Sequence, residues 1–249
     1  MSGNSRYRDY CHSRGLRSGN AAPASRVGAH MRIGIIGAGY IGGTLTRKLA
    51  ALGHEVRVAN SRAPETLADL AAETGATAVW AADAATDADL VVVSIPQKNV
   101  PALAPGIVAK ARDGAPVVET NNYYPQQRDG RIDAIEAGTP ESVWVAEQIG
   151  SPVFKVFNGI YWKHLLDKGV PAGTAKRIAL PVAGDGPGKQ TVLDLVDALG
   201  FDPVDAGSLA ESWRQQPGTP VYGKDFDADG VRAALAEASP ERPAEFRAE

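Results

Sequence analysis

The chain has 249 residues, 44 % hydrophobic and 22 % charged, with a net charge of −3; that is enough for one large α/β domain, or one domain with a small appendage, around an ordinary packed core. No uninterrupted apolar run approaches the ~20 residues a membrane-spanning helix needs. Cys11 is the only cysteine, and only His54 and His164 lie beyond residue 30, which excludes an intramolecular disulfide, speaks against a Cys or His metal site and fits a reducing, cytoplasmic compartment.

The first thirty residues stand apart. Five arginines face Asp9 alone, a balance of +4, which leaves −7 of the whole-chain −3 for residues 31–249. With no apolar h-region this is no secretory signal; it reads as a disordered leader, an upstream start or an expression remnant, and a transit peptide shares its composition. A basic arm for nucleic acid would have an acidic body behind it, so no nucleic-acid partner is expected.

From Met31 the chain alternates short apolar runs with helical patterns, the signature of βαβ units around a parallel sheet. The elements expected in order are a strand at 32–36, a glycine turn, a helix at about 41–52 and a strand at 55–59. A helix follows over 65–74 behind Pro64, then a strand at 77–80 and a short helical stretch at 83–89. The fully apolar strand 90–95 leads to a helix at 100–111, a strand at 116–119 and a sixth near 154–157. A last unit comprises a strand at 177–183, an amphipathic helix at 189–199 and a strand at 202–205, with a short helix near 231–237. The expected class is a Rossmann doubly wound, mainly parallel sheet with a small C-terminal strand–helix–strand extension. The expected division is leader 1–30, NADP-binding domain 31–150 and acceptor-side segment 151–249.

The first turn carries G-x-G-x-x-G at Gly37, Gly39 and Gly42, enclosing Tyr40 and Ile41. A strand before it, a helix after it and a second strand some twenty residues on give the pattern its context. Gly37 makes the tight turn, Gly39 admits the pyrophosphate to the backbone and Gly42 lets helix and strand approach. The second strand ends in Asn60-Ser61-Arg62, with no acid to receive ribose hydroxyls. Arg62 can pair with a 2′-phosphate and Ser61 can donate to it, so NADP(H) is favoured over NAD. Ser94-Ile95-Pro96 and Thr120-Asn121-Asn122 close two later strands at the carboxyl edge of the sheet, where ligands of open α/β sheets bind. His54 belongs at the opposite edge.

No acid–base constellation stands out, and the catalytic group stays unassigned. The segment 155–164 offers Asn158, Tyr161, Lys163 and His164; with Asn122, Asn158 and His164 are the candidate substrate contacts, and His164 reads more readily as a surface side chain than as an acid. So thin a proton-transfer inventory suits an acceptor whose own electronics do the work, such as a flavin-like ring.

The blocks GIIGAGYIGG, VANSR, VVVSIP, Thr120 to Gly130, KVFN, LPVAGD and the loop Arg214 to Tyr222 together resemble the coenzyme F420-dependent NADP oxidoreductase family, the deazaflavin:NADP reductases and their dinucleotide-binding relatives, over residues 31 to about 222. The resemblance implies that Ser61 and Arg62 hold the 2′-phosphate and that the 94–96 turn lies by the nicotinamide. It also implies that the acceptor, coenzyme F420 or a small organic substrate, sits in a cleft against the C-terminal segment. So small a segment half-closes the cleft, which is compatible with a homodimer. A β-hydroxyacid or imine reductase type needs a large helical second domain for which too few residues remain. The competing class is a non-catalytic NADP(H)-binding redox sensor, which a sealed pocket beside the nicotinamide would favour.

Overall fold

The computed structural model describes residues 30–248; the leader expected over 1–30 lies, His30 apart, outside the described residues. Strand β1 (Arg32–Ile36) is buried at four of five positions and runs into helix α1 (Tyr40–Ala51). There follow β2 (Glu55–Ala59), α2 (Ala68–Thr74), β3 (Thr77–Ala78), β4 (Leu90–Val93) and β5 (Val117–Glu119). Helices α3 (Asp133–Glu136) and α4 (Glu141–Ile149) lead to β6 (Phe154–Lys155) and α5 (Trp162–Asp167). The order β3-β2-β1-β4-β5-β6, parallel throughout, is that of a Rossmann sheet. Its switch point falls between β1 and β4, which diverge toward opposite flanks of the sheet. All four residues of β4 are buried, as a strand covered on both faces requires.

Strand β7 (Ala179–Val182), helix α6 (Lys189–Ala198) and strand β8 (Asp202–Asp205) form the C-terminal strand–helix–strand, a two-stranded parallel sheet. It meets the main sheet through an antiparallel bridge between Lys155 and Ala183. Helix α7 (Ala228–Glu237) then packs Val231, Ala234 and Leu235 against Ala179 and Val204. One apolar cluster joins Ile33, Leu45 and Val92 to Phe157, Leu180 and Leu195, so the extension shares a core with the Rossmann sheet.

Several expected elements are shorter or absent. The helix expected over 100–111 is replaced by 3-10 turns at Gln97–Ala102 and Val108–Lys110. Pro105 lacks an amide hydrogen and clashes with the carbonyl four residues back, and Gly106 takes a φ of +69°. The helical stretch at 83–89 shrinks to a turn at Ala81–Asp83. The strand at 77–80 keeps only two residues, and β6 only the first two of the four expected. Helices α3, α4 and α5 were not foreseen, although Pro140 before α4 and the left-handed Gly150 after it are ordinary stop signals. No described helix is long and apolar enough to cross a membrane.

Candidate active site

The phosphate end is built by backbone geometry. Gly37 has a φ of +111°, and a Cβ there would lie 2.1 Å from the Ser94 carbonyl oxygen. A Cβ on Gly42 would lie 1.8 Å from the Gly37 carbonyl oxygen, so α1 can only start this close to β1 without a side chain. A Cβ at Gly39 would meet nothing within 4 Å. That glycine faces open space, and it begins a helix with no side-chain cap and no acid in its first turn. Unpaired N–H groups and the positive end of the helix dipole there suit a pyrophosphate.

At the end of β2, Asn60 accepts a hydrogen bond from the Arg62 amide at 2.7 Å and donates its own amide to Thr66 Oγ1 at 3.0 Å. Its side chain fixes the turn. Ser61 and Arg62 are exposed, and among the described residues Arg62 makes no ion pair. Positions 60–62 carry no carboxylate, and the donors of Ser61 and Arg62 fit a 2′-phosphate.

Between the carboxyl ends of β1, β4, β5 and β6 opens a cleft of about 550 Å³. Of the residues singled out by sequence, Gly39, Tyr40, Ile41, Ser94, Ile95, Pro96, Asn121, Asn122 and Asn158 line it together. Gly37 and Gly42 lie behind its wall, and Asn60, Ser61 and Arg62 sit beyond it on the β2 side. His164 is not part of the lining: its Nδ1 meets the Asp225 carboxylate at 2.8 Å, Lys168 joins the same carboxylate, and the ring packs edge-on behind the lining residue Tyr161.

Asn121 marks the inner end of the cleft. Its Oδ1 accepts from the Ile95 amide at 3.1 Å, while its Nδ2 is buried with no hydrogen-bond partner among the described residues. Such an orphan donor is costly to leave unpaired. Beside it Thr120 Oγ1 donates to Ser94 Oγ at 2.8 Å.

The loop carrying Asn121 is held by a buried charge network that sequence reasoning missed. Lys155, Glu119 and Glu141 are fully buried. Lys155 Nζ donates to the Asn121 carbonyl at 2.6 Å and lies 3.2 Å from Glu119 and 4.0 Å from Glu141. Glu119 receives the Asn121 amide at 2.8 Å and the Ser142 hydroxyl. Glu141 receives the Tyr123 amide at 3.1 Å and is paired with Arg242 at 2.8 Å. Burial pushes the Glu141 carboxyl above its ordinary range, against the pull of Lys155 and Arg242. The signal available was a charge inside each apolar strand run, Glu119 after Val117-Val118 and Lys155 after Phe154.

The far wall is amide and aromatic. Asn158, nearly buried, donates to Asn122 Oδ1 at 3.1 Å and to the Gln215 carbonyl at 2.7 Å, and Asn122 returns a hydrogen bond to the Asn158 carbonyl at 2.9 Å. Phe157 just before it is buried at a φ of +64°. That conformation is strained for a bulky residue, costs about 1–3 kcal/mol and is kept only where surroundings over-determine it. Tyr40 and Trp162 stack at 5.1 Å, with Tyr161 edge-on to Trp162; Tyr40 is 75 % and Tyr161 50 % exposed. Tyr124, Arg128 and Tyr222, none of them singled out from sequence, complete the lining. Among the described residues no group of three or more His, Cys, Asp or Glu side chains is placed to hold a metal.

Comparison with known proteins places this geometry. The Escherichia coli (strain K12) protein YjhV is 53 % identical over 60 residues, which are 24 % of this chain and 44 % of that protein, so the match spans less than half of the curated relative. The crystal structure of hypothetical protein SMa0349 from Sinorhizobium meliloti is 29 % identical, with a TM-score of 0.65 over 79 % of this chain and 95 % of its own. A candidate F420-dependent NADP-reductase of Arthrobacter sp. FB24 shares the fold at 21 % identity, with a TM-score of 0.54 over 73 % of this chain and 87 % of its own. Residues 32–123, from β1 through the Asn121 loop, match the model of the family described as NADP oxidoreductase, coenzyme F420-dependent.

Proposed function

We propose that this chain is an NADPH-dependent reductase that passes hydride to a flavin-like or deazaflavin acceptor, or to a small organic substrate, held in the cleft beside the nicotinamide. The observation that carries the reading is one cleft on which an uncapped helix start, the orphan amide of Asn121 and an exposed aromatic wall converge. NADPH supplies the hydride when bound. Gly39 to Ile41 would hold the pyrophosphate, Ser61 and Arg62 the 2′-phosphate, and Ser94 to Pro96 with Asn121 the nicotinamide end. Tyr40, Tyr161 and Trp162 offer a planar ring a surface to stack on, and hydride transfer needs the reacting carbons held at roughly 3–3.5 Å.

In this reading the first part of the chain binds cofactor, the residues beyond about 150 close the acceptor side, and a homodimer covers the open flank in the cytoplasm. An open cleft with an exposed aromatic wall favours a second ligand over the sensor reading. Stopped-flow oxidation of NADPH, with deazaflavin, FMN and ferric chelates as parallel acceptors, tests it. Turnover with deazaflavin or FMN is expected; tight NADPH binding without turnover of any acceptor would shift the assignment to the sensor.

A further inference from the structure

The hydroxyls of Tyr124 and Tyr222, 98 residues apart in sequence, meet in direct hydrogen-bonding contact on the wall of the cleft that Ser94 and Asn121 also line. The donor count there is informative. Two hydroxyls bring two hydrogens, and the contact between them uses one. The other oxygen-bound partner is Asn122 Nδ2, which donates to Tyr222 at 3.4 Å and so accepts nothing. One hydroxyl hydrogen is therefore always in surplus, and among the described residues no acceptor takes it. The pair also sits in a graded field. The Arg128 guanidinium lies 5.2 Å from the centre of the Tyr124 ring and is tied to the Asn122 carbonyl and to Asp129.

Resting on the reading of the cleft as a hydride-transfer site, we propose that Tyr124 donates the proton that accompanies hydride transfer, and that Tyr222 steadies the phenolate left behind. The acceptor class that needs this is a conjugated ring whose heteroatom becomes basic on reduction, a quinone-like carbonyl oxygen or a flavin-like ring nitrogen. Hydride with its two electrons leaves the dihydronicotinamide for the electrophilic ring atom of the acceptor, a carbon in a deazaflavin or a nitrogen in a flavin. The displaced π pair moves to the heteroatom, which takes the proton from Tyr124 Oη. NADPH is oxidised to NADP⁺, the ring is reduced, and Tyr124 recovers its proton from water by way of Tyr222. The direction of the pair follows from its surroundings. The Arg128 guanidinium packs over the Tyr124 ring, and a cation there favours the phenolate at Tyr124. Burial raises both phenols, so the pair is protonated at neutral pH and can act as an acid.

The test needs no known substrate. Tyrosine ionisation is followed by ultraviolet difference spectra over pH in the full chain with NADP⁺ and, separately, with NADPH, nucleotide binding being checked by fluorescence. A pyridinium within reach of the pair should lower one tyrosine's ionisation by about one to three pH units with NADP⁺ but not with NADPH, and Tyr124→Phe should abolish that step. Tyr222→Phe should move it to higher pH, while NADPH affinity stays within about twofold. With 9,10-phenanthrenequinone or deazaflavin as acceptor, Tyr124→Phe should lower kcat by about 10²-fold or more with KM little changed, and the wild type should show a solvent isotope effect that the variant alters. Identical ionisation with the two bound nucleotides, or full turnover by Tyr124→Phe, overturns the proton-donor assignment and leaves the reductase reading standing. Failure of either nucleotide to bind removes the reductase reading itself.

Discussion

Replacing Lys155 by Met keeps the length of the side chain and removes the one cation paired with Glu119 among the described residues. The three charged groups at 155, 119 and 141 have no exposed surface, and Lys155 Nζ sits 3.2 Å and 4.0 Å from the two carboxylates while holding the Asn121 carbonyl at 2.6 Å. Breaking a buried ionic arrangement on one side costs about 3–5 kcal/mol, because the remaining charge is left without compensation. For a domain of this size each kcal/mol lowers the Tm by roughly 2–4 °C, so a fall of roughly 6–20 °C is expected by calorimetry at neutral pH. The pH dependence gives the argument a second edge. Burial already raises Glu141 in the folded state and Lys155 opposes that rise; without Lys155 the folded-state pKa climbs further above its unfolded value. A carboxyl raised on folding favours the folded state when protonated, and that contribution is lost as pH climbs from the unfolded pKa through the folded one. The deficit of the Met variant should thus be smallest near pH 4.5 and largest near pH 8. A loss below about 1 kcal/mol, or one equal at the two pH values, would refute the view of this network as ionised and mutually compensating.

Arg62→Ala should weaken NADPH by about 10- to 100-fold, the worth of a charge-assisted hydrogen bond, and leave NADH nearly unchanged; equal losses in fluorescence titrations would remove the 2′-phosphate assignment. Gly42→Ala forces a Cβ to within 1.8 Å of the Gly37 carbonyl and should cost about 1–3 kcal/mol or more of stability, whereas Gly39→Ala clashes with no protein atom and should keep its Tm yet lose NADPH affinity. Both glycines behaving alike in a paired melt and titration would contradict that division of labour. His164→Ala should change kcat by less than about twofold, because the ring pairs with Asp225 outside the cleft. Asp225 itself is held below its ordinary range by Lys168 and His164 against a desolvation that raises it. Its stabilising contribution is therefore present above the unfolded pKa and fades as pH falls through the folded one, which Asp225→Asn melts between pH 3 and 7 would register.

The sheet was legible because its information is local. Alternating strand and helix periods from Arg32 to Leu90 and the glycine spacing at 37, 39 and 42 need no distant partner to be read, and the observed β1, α1, β2 and β4 follow them closely. The expectations that failed did so where two local rules competed. In residues 100–111 the apolar period argued for a helix, but Pro101, Pro105 and Gly106 fix the backbone more strongly than periodicity does, and 3-10 turns result. Helix α4 escaped notice for the converse reason. Its apolar face is short, Trp144, Val145 and Ile149, and Glu141 and Ser142, polar in the sequence, are fully buried in the fold.

The site divides along the same line. The residues expected to bind the cofactor lie on backbone turns and strand ends, which motif spacing encodes, and the structure gathers most of them on one cleft. The far wall of the cleft and the network behind it rest on pairs that no spacing announces: Tyr124 with Tyr222 across 98 residues, and Glu141 with Arg242 across 101. Each of these groups looks unremarkable alone, a loop tyrosine or a surface-type charge, and its setting becomes visible only with its partner in place. The segment from Lys155 to His164, where the sequence concentrates polar candidates, holds neither tyrosine of the pair. Within that segment Lys155 holds the Asn121 loop from behind the cleft and His164 pairs with Asp225. What the segment does supply is Asn158, aimed by a strained Phe157 into the amide cluster that joins the Asn122 loop to Gln215. Strain of that kind is maintained by the contacts around it, so C-terminal residues such as Gln215 and Tyr222, which look like a mere extension, help set the geometry of the far cleft wall.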